Sequence, residues 1–176
     1  MTLSIPAAVA WWRDLQPDPG RNYSGDRAAL ARLRRCATVA EAMQDPATIS
    51  LFRRCGGSGP WDLPTAGLAA AVLAHVRNDD RDNTRIARRV GPDNTDRVET
   101  ALLKPLRFRR LMDADLPDER LAAFRRLAAL AGNTVNVSDL AAALLNWNEQ
   151  RQQRWVYDYW NAGPPTPAVN AEEITP

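Results

Sequence analysis

Apolar residues recur at three- and four-residue intervals along nearly the whole chain, and no stretch alternates long enough to propose a sheet. That pattern specifies an all-α fold. Prolines, glycines and caps cut it into segments. Ser4 caps a first helix with Pro6 in its early turn and Trp11, Trp12 and Leu15 on its apolar side. The Pro/Gly/Asn stretch Gln16–Ser24 separates it from a second helix, Gly25–Cys36. Thr38 and Glu41 have capping-box spacing, and Asp45-Pro46 is a cap followed by a first-turn proline. The run Gly56-Gly57-Ser58-Gly59-Pro60 is a turn. Leu63–Arg77, rich in Ala and Leu and apolar on most sides, is predicted to be the central helix.

Asn78–Asn83 has no periodicity and reads as an exposed, net-acidic loop. A short basic helix over Thr84–Val90 stops at Gly91-Pro92, read as the short linker between two small helical-bundle lobes, 1–92 and 93–162. In the second lobe Thr95–Leu103 is predicted helical, Pro105 kinks or restarts it, and Leu106–Met112 carries it on. Asp115-Leu-Pro-Asp-Glu opens the next helix with acids where the helix dipole favours them, and Gly132-Asn133 closes it. Ser138-Asp139 is predicted to cap the last and longest helix, which reaches Trp160. Residues 163–176, with four prolines, read as a disordered tail.

With 176 residues the chain can bury a core without metal or disulfide staples. Cys36 and Cys55 are isolated and His75 is the sole histidine, so a structural zinc site is not expected. The cysteines read as small core residues in a reducing cytoplasm. No secretion signal is visible, and Ala66–Val76 is about half the ~20 apolar residues of a membrane span. The reading is a cytoplasmic protein without membrane contact. No phosphate-loop, HExxH or nucleophile-elbow spacing occurs, and the Asp pairs Asp80/Asp82 and Asp113/Asp115 read as loop and cap residues. No enzyme, metal or cofactor is expected.

Net charge is only +2, but 22 of the 23 bases are Arg, and their arrangement carries more information than their total. On the second helix Arg27, Arg32, Arg34 and Arg35 lie opposite Leu30 and Leu33, with no acid among them to pair at i, i+4. A second cluster is Lys104, Arg107, Arg109 and Arg110, interleaved with Phe108 and Leu111. Arg125-Arg126 is a third. Arg126 points away from the stripe of Leu121, Phe124 and Leu127, and Arg125 lies at its margin. Arg81, Arg85, Arg88 and Arg89 form a fourth group, diluted by Asp79, Asp80 and Asp82. On the final helix Arg151 stands one turn from both Trp147 and Trp155, where it either covers apolar surface or meets nucleic acid or a partner subunit. Guanidinium groups fixed on helices suit a phosphate backbone followed without reading sequence.

Trp11-Trp12-x-x-Leu15, then Gly25-Asp-Arg-Ala-x-Leu-x-x-Leu-Arg-Arg35, then Asp45-Pro with Leu51-Phe52 and Trp61, resemble the N-terminal half of CasB. CasB is the small subunit of Cascade, the type I-E CRISPR surveillance complex. Arg107-Phe-Arg-Arg-Leu111, Phe124-Arg-Arg-Leu127, and Leu140-x-x-x-Leu144-x-x-Trp147 followed by Trp155-x-x-x-Tyr159-Trp160 are similar to its C-terminal half. The resemblance spans about residues 8–161. It implies a two-lobed helical protein without enzymatic activity, a head-to-tail homodimer set against CasC and CasA. Its basic surface would help hold the guide RNA–target DNA duplex and the displaced strand. The positions that carry over are Arg34, Arg35, Arg107, Arg125 and Arg126, and also Arg27 and Arg151. Relatives can carry a Lys-rich mobile loop where this chain has the acidic Asn78–Asn83.

Two other readings stand beside it. A helix-turn-helix regulator would read duplex DNA through Thr84–Val90 or Gly25–Cys36. A helical adaptor would turn the same arginines toward acidic protein partners.

Overall fold

Each of the first four helices begins where the sequence places a cap. Ser4 Oγ accepts from the Ala7 N–H at the head of α1, Ile5–Leu15. Asp26 caps α2, Arg27–Arg35, and Thr38 caps α3, Val39–Met43. Asp45 caps α4, Pro46–Arg54, accepting from the Ala47 N–H at 2.9 Å. Each cap satisfies an N–H that the first turn leaves without a partner. The computed structural model describes residues 2–164, so 165–176 of the expected tail lie outside the described residues.

The centre is α5, Leu63–Leu73, in which every residue from Ala66 onward is buried. Small residues permit this by letting other helices approach from all sides. An added Cβ at Gly67 would lie 2.9 Å from Met43 Cγ and 3.2 Å from the Val39 carbonyl, so α3 packs nearly backbone to backbone on α5. The chain continues through α6 (Ile86–Val90), α7 (Pro105–Met112), α8 (Pro117–Leu130), α9 (Val137–Leu145) and α10 (Glu149–Tyr159). α4, α8 and α9 also pack on α5, and α1 packs on α9. Buried residues from both sides of Gly91-Pro92 therefore enter one cluster. The fold is all-α apart from one short sheet among the described residues.

That sheet corrects part of the expectation for Asn78–Asn83, which are exposed as expected except at Asp80 but are not all loop. β1, Asn78–Asp79, pairs in parallel with β2, Thr134–Val135, and at two residues each neither strand is long enough to show alternation. Asp79 Oδ1 accepts from the Val137 N–H at 3.0 Å, and Asp80 is buried in an ion pair with Arg89. The acidic run is thus partly structural.

Two further expectations are corrected. The last helix is two helices, because Asn146, Trp147 and Asn148 interrupt it, and the longest is α8 with 14 residues. Asn136, not Ser138, caps α9, and Asn148 Oδ1 accepts from the Arg151 N–H at 2.9 Å to open α10. The apolar stripe runs across the break because Trp147 still turns inward, edge-on to Phe124 and Trp155. Thr95–Leu103 forms only the 3₁₀ turn Val98–Thr100. Asn94 Oδ1 there takes the Asp96 N–H, and Thr100 Oγ1 bonds both the Asp93 N–H and the Arg97 carbonyl. Such local side-chain bonds compete with a helical ladder.

Candidate nucleic-acid interface

The four arginines of α2 do not share one fate. Arg32 clamps Asp45 with Nε at 2.8 Å and a second nitrogen at 3.3 Å, although Asp45 lies on the cap of α4. Burial would raise the Asp45 carboxyl, but the Arg32 bond and the Ala47 N–H override it and hold it below its ordinary value. Arg34 Nε donates to the Ala74 carbonyl at 2.6 Å, at the C-terminal end of α5. Arg27 and Arg35 are exposed, with no hydrogen bond or ion pair among the described residues.

α8 divides its pair in the same way. Arg125 turns inward and donates to the carbonyls of Cys36 at 2.7 Å, Leu33 at 3.0 Å and Ala71 at 3.4 Å. It therefore satisfies the ends of α2 and α5 together, where unpaired carbonyls favour a cation. Burial lowers the proton affinity of both Arg125 and Arg34. His75 sits beside the two. Burial first, then the charges of Arg125 and Arg34, bring its pKa down to about 4, so it is neutral at pH 7. Arg126, the next residue along, faces solvent without a partner among the described residues.

On α7, Phe108 and Leu111 turn to the core. Arg107 and Arg110 stand exposed on its outer flank without partners among the described residues. Arg109 points to the other side of the helix and pairs loosely with Asp113 at 3.8 Å. Lys104 Nζ donates to the Glu99 carbonyl at 2.6 Å.

Arg151 belongs to a different surface. Its Nε donates to the Asn146 carbonyl at 3.0 Å, across the break before α10. With Arg85, Arg154, Asn148, Gln150, Gln153 and Tyr157 it lines an open groove of about 610 Å³. Asp158 pairs with Arg85 at 3.4 Å and Arg154 at 3.3 Å, and the Arg154 head lies 5.6 Å from the centre of the Tyr157 ring. The sequence reading missed Arg85 and Arg154 as a pair. Asp79, Asp80 and Asp82 mask Arg85 in the sequence, and the fold places its head beside Asp158, 73 residues away.

Of the nine candidate arginines, Arg34, Arg125 and Arg151 thus bond main-chain carbonyls. Arg27, Arg35, Arg107, Arg110 and Arg126 present guanidinium groups without a partner among the described residues, and Arg109 stands apart with its loose pair to Asp113. The fold brings Arg34 to Arg125, and Arg151 to Arg85 and Arg154. Among the described residues no group of three or more His, Cys, Asp or Glu could hold a metal ion, and no helix is long and apolar enough to cross a membrane.

The family profile of CRISPR-associated protein Cse2 matches residues 29–160. The fold is similar to a chain in the crystal structure of E. coli Cascade bound to a PAM-containing double-stranded DNA target. That likeness has a TM-score of 0.57 and 19% identity, and covers 93% of this chain and 100% of that one. Among curated proteins none matches.

Proposed function

Because the chain belongs to the CRISPR-associated protein Cse2 family, also called CasB, we propose that it is the non-catalytic small subunit of a type I-E Cascade complex. It holds nucleic-acid backbone without reading sequence and so stabilises the R-loop. The observation that carries this is that five of the nine candidate arginines, Arg27, Arg35, Arg107, Arg110 and Arg126, are exposed on helices of a Cse2-family chain without a partner among the described residues. A guanidinium fork matches phosphate oxygens two at a time, and contacts of this kind carry no base information.

Arg34 and Arg125 position Arg27, Arg35 and Arg126 by fastening α2, α5 and α8 to one another. Exchanging a DNA duplex for a guide–target heteroduplex is close to balanced in energy, so a few backbone contacts are enough to tip it. The partners in this reading are guide RNA, target DNA and the displaced strand, with the subunit set as a head-to-tail homodimer against CasC and CasA. The regulator alternative has lost its reading helix, since α6 is five residues long and α2 has two of its four arginines tied into the fold.

The test is R-loop lifetime in the reconstituted complex with Arg35→Glu, Arg107→Glu and Arg126→Glu combined. The expected result is a lifetime at least tenfold shorter at unchanged target sequence preference. An unchanged lifetime, with the variant incorporated, overturns the proposal.

A further inference from the structure

α7 and α10 leave an apolar groove of about 460 Å³ between them. Pro105, Leu106 and Met112 form one wall, Val156 and Trp160 the other, and Phe108 the floor. The floor is fixed. Phe108 stacks on Tyr159 with ring centroids 3.8 Å apart, and the Tyr159 hydroxyl donates to the Leu103 carbonyl at 2.6 Å. The walls are not covered: Leu106 is 62% exposed and Val156 42%. Two aliphatic side chains held facing each other over a rigid aromatic floor are more than the scattered apolar exposure of an ordinary surface.

The rim defines what fits. Arg109 is the one charged residue lining the groove; its side chain is 82% exposed, and its only ion pair among the described residues is the loose contact with Asp113. A nucleic-acid strand would find apolar walls for its phosphates and a single base for all of them. A second copy docked by two-fold symmetry through this face would set Arg109 against its own equivalent, and a head-to-tail pair, whose two contact faces differ, would leave the groove of one copy open. An apolar segment bearing an acid suits both walls and rim.

We propose that the α7–α10 groove docks an apolar, acid-flanked segment of another protein subunit, with Arg109 pairing the acid. This deepens the function proposed above and rests on it, because the partner is a neighbour within the complex. It also divides α7 between two tasks. Arg109 with Leu106 serves assembly, while Arg107 and Arg110 on the outer flank serve the phosphate backbone.

The probe is the complex of the remaining subunits with guide RNA, and the first readout is small-subunit occupancy by native mass spectrometry. Leu106→Asp/Val156→Asp is expected to lower occupancy at least tenfold and Arg109→Glu about threefold to tenfold. Arg107→Glu/Arg110→Glu is expected to incorporate as the wild type does and to shorten R-loop lifetime. The thermal midpoint of each free variant reports folding, and Leu106→Ser/Val156→Thr, expected to lower occupancy in the same direction, replaces the Asp pair if that variant unfolds. Normal occupancy of both the groove and the Arg109 variants overturns the inference while leaving the backbone-binding proposal intact. A free chain that is dimeric and becomes monomeric with the groove substitutions also overturns it, by making the occupant a second copy. Wild-type chain that never incorporates overturns both proposals.

Discussion

Arg125 and Arg126 are neighbours of identical chemistry, yet their environments assign them opposite tasks. Arg125 gives up water for three carbonyls at the ends of α2 and α5, and removing it would leave those acceptors without a charged donor. Losing charge-assisted bonds of this kind costs about 3 kcal/mol in all. Arg125→Ala is expected to lower unfolding free energy by that amount in urea, with Arg125→Lys in between because an ammonium cannot span three acceptors. Arg126→Ala is expected to change stability by less than about 0.5 kcal/mol. Equal effects at the two positions would contradict the division of the arginines between fold and surface. The sequence shows part of this division, since Arg125 falls at the margin of the apolar stripe and Arg126 outside it. It does not show that Arg32 meets Asp45 or that Arg34 meets the Ala74 carbonyl, because both pairings are made by the tertiary fold.

The starts of α1, α3 and α4 were legible because caps act locally. Ser4, Thr38 and Asp45 each accept a bond within the turn they begin, so a few residues decide the outcome. The interruption between α9 and α10 was not legible, because Trp147 keeps the apolar periodicity through residues that are not helical. The packing of α6 on α10 was equally hidden. A Cβ at Gly91, just past α6, would overlap the Tyr159 carbonyl at the end of α10, although the Gly91 backbone, at φ −75°, suits any residue. Space, and not conformation, requires glycine there. Gly91→Ala is expected to destabilise by about 2–3 kcal/mol through forced displacement of α10, the usual scale for overpacking. Denaturant titration measures this, and a change under about 0.5 kcal/mol would show that α10 shifts freely. Because Tyr159 stacks on Phe108, the floor of the α7–α10 groove, the same variant is expected to loosen that groove.

Across the whole molecule, the point where α2, α5 and α8 meet joins the chain before Gly91-Pro92 to the chain after it, and His75 lies there beside Arg34 and Arg125. Its pKa of about 4 in the fold lies below the ordinary 6.5, so between these values the unfolded chain binds a proton that the folded chain refuses. Stability is therefore complete above about pH 6.5 and declines as pH falls toward 4, by roughly 2 kcal/mol once the histidine's partial contact with solvent is allowed for. Asp139, raised by burial, contributes with the opposite sign as pH falls and opposes this decline. Asp45, held low, adds its own loss only below the ordinary carboxylate range. His75 is the one histidine of the chain, so the loss of stability as pH falls from about 6.5 to 5 belongs to it. Because buried residues from residues 1–92 and 93–162 share one cluster, both segments are expected to lose stability together, in one cooperative transition. Urea unfolding across that interval, followed by tryptophan fluorescence and far-ultraviolet circular dichroism, tests both claims. Coincident midpoints that fall with pH, and a slope abolished by His75→Gln, are the expected result. Separate midpoints for the two probes would mean that the segments unfold as independent lobes, and a slope retained in His75→Gln would place the proton elsewhere.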